Sequence, residues 1–474
     1  MKQARQLLVV ALLLIVIGCK VPLPDRPYSP FVVPAKWHSD HSSTNEPAGN
    51  WWTQFGDDRL SLLVHEALAN NLDLQATANR LEQSLLYADA ALTRQPSLEA
   101  TLNTTKRRMN FIGLPIPGGN VLTSRSISHG VSLSSSWEVD VWGRLRAGEK
   151  MALADSSAAH ADHWAARQSI AAQVVKIWIA LTEVNEQLGL AQTNIMILDI
   201  TVKQADLRYD LGVIPALDVR LARTNLAITQ AVKEQWKSSR EQLCRQLETL
   251  LGRYPAGLVD GTHSLPQLMP SIPAGIPSNL LTRRPDIAAS NARIISARAK
   301  IKEAQAELYP KLMITSSGGT STDELKELLN NNFLVWSLGS EIIQPIFNGK
   351  KLRNNVILQD TITAELILHH RRTVLNAFSE VETALSNEVI LQAREKRLQE
   401  AALQAGKALD LAEDRYSRGL EPFVTVLETQ RRFTEAQSQR VTARRMRLEN
   451  RANLHLALGG DFLRPDPLKF GGKE

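Results

Sequence analysis

A long, uninterrupted helix is the feature that most limits the fold of this chain. No proline occurs between Pro117 and Pro215, and apolar residues in that span recur with alternating spacings of four and three. These positions are Ile170, Val174, Ile177, Leu181, Val184, Leu188, Ala191, Ile195, Leu198, Val202, Ala205 and Tyr209. This spacing is the seam of a coiled coil, and a helix over residues 144–208 is roughly 100 Å long. An ordinary globular core requires no such helix, so the sequence predicts long packed helices.

The residues before this helix predict a β-hairpin. In residues 127–141 the odd positions are mainly apolar and the even positions are polar or glycine. Side chains alternate between the two faces of a strand, so one face is apolar and the other is rich in serine. An earlier strand begins near Leu98, and a long loop containing Pro115 and Pro117 joins the two. Further strands are predicted at residues 312–316 and 333–345.

The two halves of the chain share a register, which predicts an internal duplication. Leu145, Arg208, Tyr209, Gly212, Leu217, Leu251 and Gly252 correspond to Leu352, Arg415, Tyr416, Gly419, Val424, Leu458 and Gly459, each 207 positions further on. The predicted organisation is a first repeat at residues 57–252, a linker at 253–284, a second repeat at 285–459 and a tail at 460–474. Each repeat is predicted as a helix, a hairpin, a long helix and a further helix.

The N-terminus predicts export and lipid attachment. Lys2 and Arg5 precede an apolar run at residues 7–17, which is too short to span a bilayer and is typical of a signal peptide over residues 1–18. Residues 16–19 (VIGC) indicate a lipobox, in which Cys19 becomes the acylated first residue. The alternative is a plain signal peptide with an incidental cysteine. Residues 19–56 are predicted as a proline-rich linker. The net charge of +6 is too mild, and its basic residues too scattered, to indicate a nucleic-acid partner.

Four strands of membrane-spanning length predict an oligomer. Lipid tolerates no open sheet edge, and the smallest bacterial barrels have about eight strands. Four strands cannot close alone, so several chains must complete one barrel if the strands lie in a membrane. The serine-rich face of residues 128–140 would then line a water-filled lumen, and the apolar face would meet lipid. The alternative is a soluble β-hairpin domain on a coiled coil.

Several motifs occur along the chain: residues 137–144 (WEVDVWGR), 283–287 (RRPDI), 344–347 (QPIF) and the Arg-Tyr-x-x-Gly sequences that end at Gly212 and Gly419. Together they resemble the TolC-like outer-membrane efflux proteins, in particular the lipoprotein branch that serves resistance-nodulation-division (RND) pumps. The resemblance implies a mainly α fold with a membrane β-barrel: a homotrimer with twelve strands, continued by a long periplasmic α-barrel. It also implies outer-membrane lipid contact, a periplasmic adaptor and an inner-membrane RND pump as partners.

The same resemblance implies two sets of functional residues. The adaptor-docking tips are Gly212, Val213, Gly419 and Leu420, and the residues that tether the closed tips are Arg208, Tyr209, Asp218, Arg415 and Tyr416. The channel constriction corresponds to Glu428, with Thr425 where some members have a second acid. The alternatives for these positions are a plain helix break at each glycine and a solvated surface glutamate.

No motif for catalysis, a metal or a cofactor is evident, so we expect no enzyme. His160 and His163 are three residues apart on a helix, but no third ligand is nearby in the sequence, and a solvated face is expected. The predicted function is a passive exit channel for drugs or other small molecules. The alternatives are a duct for metal cations or type I polypeptide secretion, a lipid-anchored coiled-coil protein without a pore, and an envelope enzyme.

Overall fold

The computed structural model describes residues 33–39, 50–111, 122–262, 264–267 and 277–460, together with Val21, Leu23 and Gly275. The predicted signal peptide, Cys19 and residues 461–474 lie outside the described residues. The helices are α1 Asp58–Asn70, α2 Leu72–Leu92, α3 Arg144–Asp210, α4 Ala216–Leu250, α5 Pro277–Arg283, α6 Pro285–Ala306, α7 Lys351–Ser417 and α8 Phe423–Ala457. The strands are β1 Ser97–Phe111, β2 Leu122–Val139, β3 Lys311–Thr322 and β4 Leu334–Ile343. Short 3₁₀ segments occur at Trp51–Phe55, Leu325–Glu327 and Asn331–Phe333.

The duplicated, mainly helical fold predicted from the sequence is confirmed. Helices α3 and α7 each contain 67 residues, and α4 and α8 each contain 35. Helix α7 begins 207 positions after α3, and α8 begins 207 positions after α4, which is the offset found in the sequence. Within the described residues, no helix has the length and apolar character that a membrane crossing requires.

The chain divides into two compact units. One contains the sheet and the described parts of residues 1–28, 83–156 and 292–368. Its four strands are antiparallel and lie in the order β1-β2-β3-β4, so β1 and β4 are the edges. Strand β4 lies within its predicted bounds, whereas β1 and β3 are longer than predicted. Strand β1 continues through Lys106 and Arg107 to Phe111, although its apolar alternation ends at Leu102.

The second unit contains the described parts of residues 29–82, 157–291 and 369–474. Its largest core packs the fully buried Trp51, Trp52 and Leu60 against Trp178 and Leu181 of α3. Most of the predicted seam of α3 is buried, which accounts for the heptad spacing. The indole N–H groups of Trp51 and Trp178 donate to Gln168 Oε1 (3.2 Å) and Asp57 Oδ2 (2.7 Å).

Three local expectations are wrong. The single helix expected at the start of the first repeat is divided in two at Asn71, whose Oδ1 accepts the Leu74 N–H at 3.0 Å and caps α2. Residues 51–55, expected in the linker, form a 3₁₀ helix that supplies the tryptophans of the core. Residues 277–283, also expected in a linker, form α5, and its Leu280 is buried.

Candidate functional site

The sheet separates apolar from polar side chains with a register that runs through all four strands. Directly opposite residues in an antiparallel pair share a face, so the register defines both faces. The apolar face carries Leu98, Ala100, Leu102, Val131, Leu133, Trp137, Leu312, Ile314, Leu334, Trp336, Leu338 and Ile342. The opposite face carries Glu99, Thr101, Asn103, Ser128, Ser132, Ser134, Ser136, Thr315, Ser317, Ser337, Gly339 and Glu341.

The apolar face is largely uncovered in a single chain. Trp336 is 77% exposed and Leu338 is 71% exposed. On the other face, hydroxyl groups pair across strands, with 3.2 Å between Ser128 Oγ and Ser321 Oγ and 2.8 Å between Ser317 Oγ and Ser337 Oγ. A contiguous exposed apolar surface of this kind marks contact with lipid or with another protein, whereas the hydroxyl-rich face suits water.

The motif at residues 137–144 forms a rigid corner between β2 and α3. Glu138 accepts two hydrogen bonds from the Arg144 guanidinium, at 2.8 and 2.7 Å. Asp140 accepts the backbone N–H groups of Leu145 and Arg146, each at 3.1 Å, and so caps the start of α3. Gly143 has a φ of 76°, which a residue with a side chain rarely adopts. The motif therefore sets the direction in which the long helix leaves the sheet.

The motif at residues 283–287 has a structural role in the second unit. The mostly buried Arg284 donates to Asp286 Oδ2 at 2.7 Å, to Glu380 Oε2 at 2.6 Å and to the carbonyl of Ala457 at 3.1 Å. One guanidinium thus joins the start of α6 to α7 and to the end of α8. The motif could be found in the sequence, but its role could not be predicted, because its partners in α7 and α8 are distant in the sequence.

The two predicted tips have the same backbone geometry. Gly212 and Gly419 have φ values of 74° and 76°, and no atom lies within 4 Å of the position a Cβ would take at either one. In each tip the glycine N–H donates to the tyrosine carbonyl three residues earlier, Tyr209 or Tyr416, at 2.8 and 3.0 Å. The glycines are therefore required by the backbone turn that ends the helix and not by crowding.

The residue after each glycine completes the turn and leaves an apolar side chain in solvent. Val213 and Leu420 donate their N–H groups to the carbonyls of Arg208 and Arg415, at 2.8 and 2.9 Å. Val213 is 66% exposed and Leu420 is 63% exposed. Each tip thus presents one aliphatic side chain on a turn whose backbone hydrogen bonds are already satisfied.

Two of the predicted tether residues contact each other between the two tips. The guanidinium of Arg208 lies 4.9 Å from the ring centre of Tyr416, at cation–π distance, and that ring packs against Phe423. Arg415 instead forms a 3.1 Å ion pair with Glu421 within its own tip. Tyr209 is exposed, and the half-buried Asp218 lies in the first turn of α4, where a carboxylate suits the helix dipole.

Glu428 is held within its own helix by two arginines. Its carboxylate accepts hydrogen bonds from Arg431 at 3.0 Å and from Arg432 at 2.8 Å. These hydrogen bonds lower the pKa of Glu428 to about 2. The expected acidic group is therefore paired with two arginines, and Arg431 also pairs with Glu435 at 3.3 Å. The spacings of three and four residues were visible in the sequence as a signal for these pairs. Thr425 is half-buried, and its carbonyl accepts the Thr429 hydroxyl at 2.9 Å.

The histidine pair is not the solvated face expected from the sequence. His163 is half-buried, with its Nδ1 2.9 Å from the Thr77 hydroxyl, and burial lowers the pKa of both His160 and His163. Across the part of the chain that the structure describes, no group of three or more His, Cys, Asp or Glu residues is placed to hold a metal ion. Cys244 is buried as a packing residue, and burial raises the pKa of its thiol.

A sheet with one apolar and one hydroxyl-lined face, in a chain that also has two repeated pairs of long helices, is typical of outer-membrane channels with a helical extension. The chain belongs to the outer membrane efflux protein family, whose profile matches residues 63–253 and 276–460. It is an outer-membrane exit channel for efflux, with its helices extending into the periplasm.

Two curated relatives match almost the whole chain. The pyoverdine export outer membrane protein OpmQ of Pseudomonas putida is 30% identical over 98% of this chain and 99% of its own length. The toluene efflux pump outer membrane protein TtgF of the same species is 27% identical over 96% of each chain.

Solved structures show the same fold. The outer-membrane channel OprN superposes with a TM-score of 0.85 at 25% identity, covering 94% of this chain and 100% of its own. The open state of the Neisseria gonorrhoeae MtrE outer membrane channel gives a TM-score of 0.80 at 27% identity, covering 94% and 99%.

Proposed function

We propose that three copies of this chain form one passive duct that receives small molecules from an inner-membrane RND pump and a periplasmic adaptor. The observation that carries this proposal is the sheet: its apolar face is uncovered, and β1 and β4 are both unpaired edges. Backbone groups at those edges have no water to bond within a bilayer, so each edge must pair with another chain.

The polar face then determines what the duct can carry. In a closed barrel the face with Ser132, Ser134 and Ser317 lines the lumen. Short hydroxyl side chains leave the lumen wide and bind no class of solute strongly. Such a wall supports passive conduction, with cargo selected by the pump.

The tips are the proposed docking and closing elements. Docking of the adaptor on Val213 and Leu420 would bury aliphatic side chains that are otherwise exposed. Because the contact of Arg208 with Tyr416 joins the two tips of one chain, it would favour the closed arrangement. An adaptor opens the duct only if it contacts the splayed tips better than the closed ones.

Lipid attachment at Cys19 remains part of the proposal. Val21, two residues further on, packs with Tyr309 and Leu352 beside the cluster of Leu308 and Val356. Residues 308–309 directly precede β3. This position supports an anchor that enters the membrane at the periplasmic end of the sheet.

The cargo is proposed to be a small organic molecule. The relatives OpmQ, TtgF and SrpC are named for pyoverdine, toluene and solvent. The second candidate is a duct for metal cations or secreted polypeptides, which export assays in a strain lacking its own channels would distinguish. Export of a metal or a polypeptide in place of organic compounds would contradict the proposal.

The assembly is tested by mass measurement of the protein purified in mild detergent, followed by insertion into planar bilayers. The expected result is a trimer that conducts ions. A stable monomer that remains in the membrane fraction would contradict the closure argument, because its sheet edges would be open in lipid.

Tip docking is tested with the double variant V213K/L420K. We expect it to assemble and conduct normally but to lose export and adaptor crosslinking, because lysine cannot enter an apolar contact. Leu258→Lys is the control, since Leu258 is also an exposed aliphatic residue, at 82%, but lies away from the tips in sequence. Equal loss of export in both variants would show that the tips have no special role.

A further inference from the structure

We infer that the chain carries a binding site for the phosphate headgroup of an anionic phospholipid, at the periplasmic end of its sheet. The inference rests on the proposed function, because it requires the sheet to lie in the membrane and the helices in the periplasm. The site is a cavity of about 670 Å³ between the first turns of α3 and the end of α6. This volume is within the range of small-molecule sites.

The cavity lies at the level of the membrane boundary. Trp142 follows the end of β2 by three residues, and Tyr309 precedes β3 by two. Their rings stack at 4.7 Å between centroids, and the Trp142 indole N–H donates to the Pro310 carbonyl at 2.9 Å. Tryptophan and tyrosine are enriched where hydrocarbon meets headgroups, because each ring has an apolar body and a polar edge.

The charged residues that line the cavity are all cations. They are Arg146, Lys150 and Lys302. Arg146 is matched by Asp140, with 3.0 Å between its Nε and the carboxylate. Lys150 and Lys302 are both exposed, and among the described residues neither has an ion-pair partner. Two uncompensated ammonium groups beside stacked aromatic rings complement a phosphate diester joined to acyl chains.

The proposed strand pairing between chains does not involve the strands beside this cavity. The cavity lies below β2 and β3, which are the inner strands of the sheet, whereas the proposed neighbours pair at β1 and β4. Val21 also lines the cavity. Val21 lies two positions after Cys19 in the sequence, a reach of at most about 7 Å in an extended chain. The proposed acyl anchor would therefore enter the bilayer beside this site, on the lipid side of the barrel.

The repeat provides an internal comparison. At the offset of 207, Trp142 corresponds to Gly349 and Lys150 corresponds to Ile357. The second repeat therefore has neither a tryptophan nor a lysine at these two equivalent positions. The duplicated fold does not itself require Trp142 and Lys150, which is consistent with a role in binding.

The test is native mass spectrometry of the full protein in detergent micelles that contain either phosphatidylglycerol or phosphatidylcholine. We expect wild type to retain phosphatidylglycerol preferentially. The double variant K150A/K302A should bind it roughly thirty-fold more weakly, the factor that two lysines give at an anionic surface. The variant K350A/K351A removes the same charge at the equivalent corner of the second repeat and should bind like wild type. K150R/K302R should also retain the lipid.

Three outcomes would overturn the inference. Equal retention in K150A/K302A and wild type would exclude the site, and equal loss in K350A/K351A would reduce it to general charge attraction. Displacement of the lipid by equimolar inorganic phosphate would assign the cavity to a free anion. If the protein does not form the proposed trimer, the same spectra show it independently of lipid binding, because they give the mass of the oligomer.

Discussion

Substitution of Leu133 by arginine is predicted to prevent assembly in the outer membrane. Leu133 lies in the interior of β2, opposite Ala100 in β1 and Gly318 in β3, and it is 54% exposed on the apolar face. Neither opposite residue offers an acceptor for a guanidinium. Arginine on the lipid face of a barrel costs about 2–4 kcal/mol near the midplane. That cost lowers the assembled fraction by roughly thirty- to a thousand-fold for each chain.

The matched control is Ser134→Arg, one residue further along the same strand. Ser134 is on the polar face, directly opposite Glu99 and Ser317, so its replacement would meet water and a carboxylate. The assay is the amount of detergent-resistant trimer in the outer-membrane fraction at equal expression. We expect loss for Leu133→Arg and retention for Ser134→Arg. Similar amounts of trimer in both variants would refute the assignment of the two faces.

Four further results are expected. Gly252→Ala should lower the unfolding temperature more than Gly212→Ala. Both glycines have φ above 70°, but a Cβ at Gly252 would be 2.7 Å from the Asn70 carbonyl oxygen, whereas no atom lies within 4 Å of a Cβ at Gly212. Gly212→Trp should abolish export yet leave the ion selectivity of the closed channel unchanged; retained export would show that the tip is only a helix end. Cys19→Ala should remove metabolic fatty-acid label, and equal label would refute the lipobox. Glu428→Gln should lower cation selectivity in planar bilayers. In wild type the cation selectivity that this carboxylate gives should be the same at about pH 4 and pH 8, because its pKa of about 2 keeps it ionised at both.

The helices and the hairpins could be predicted because their signals are local. The heptad spacing of α3 arises because one face of the helix is buried and the other is exposed to solvent. The alternation of β2 arises because one face of the strand is apolar and the other is polar. The break at Asn71 could not be predicted in this way. Its side chain caps α2 and donates to the Leu250 carbonyl at 2.9 Å, and that second partner is distant in the sequence.

The two faces of β4 also could not be assigned from local sequence alone. Val335 and Ile343 lie on the polar face, so the strand alternates less cleanly when it is considered alone. Pairing with β3 determines which face is which, because Trp336 lies opposite Gly318. A face that is ambiguous in one strand is thus defined by its neighbour.

For the candidate site, the positions of both tips were predictable from repeated Arg-Tyr-x-x-Gly sequences, because glycine permits the left-handed turn that ends each helix. The ion pairs of Glu428 were not predicted. Arg431 and Arg432 follow it at helical spacing, so the local sequence already contained the signal for these pairs. The net charge of a helix face depends on neighbours three and four residues away and not on one residue.

The duplication accounts for how the proposed trimer can close although a single chain has two open sheet edges. Each repeat supplies one hairpin, and within the chain the two hairpins are already joined by antiparallel pairing of β2 with β3. Pairing of β4 with β1 of the next copy is the same type of junction, between the second strand of one hairpin and the first strand of another. The pairing of β2 with β3 within one chain is therefore the same kind of contact as the β4–β1 pairing proposed between chains. Because both junctions join equivalent hairpins above helices of equal length, the ring can close with similar twist and tilt at each of its six hairpin junctions.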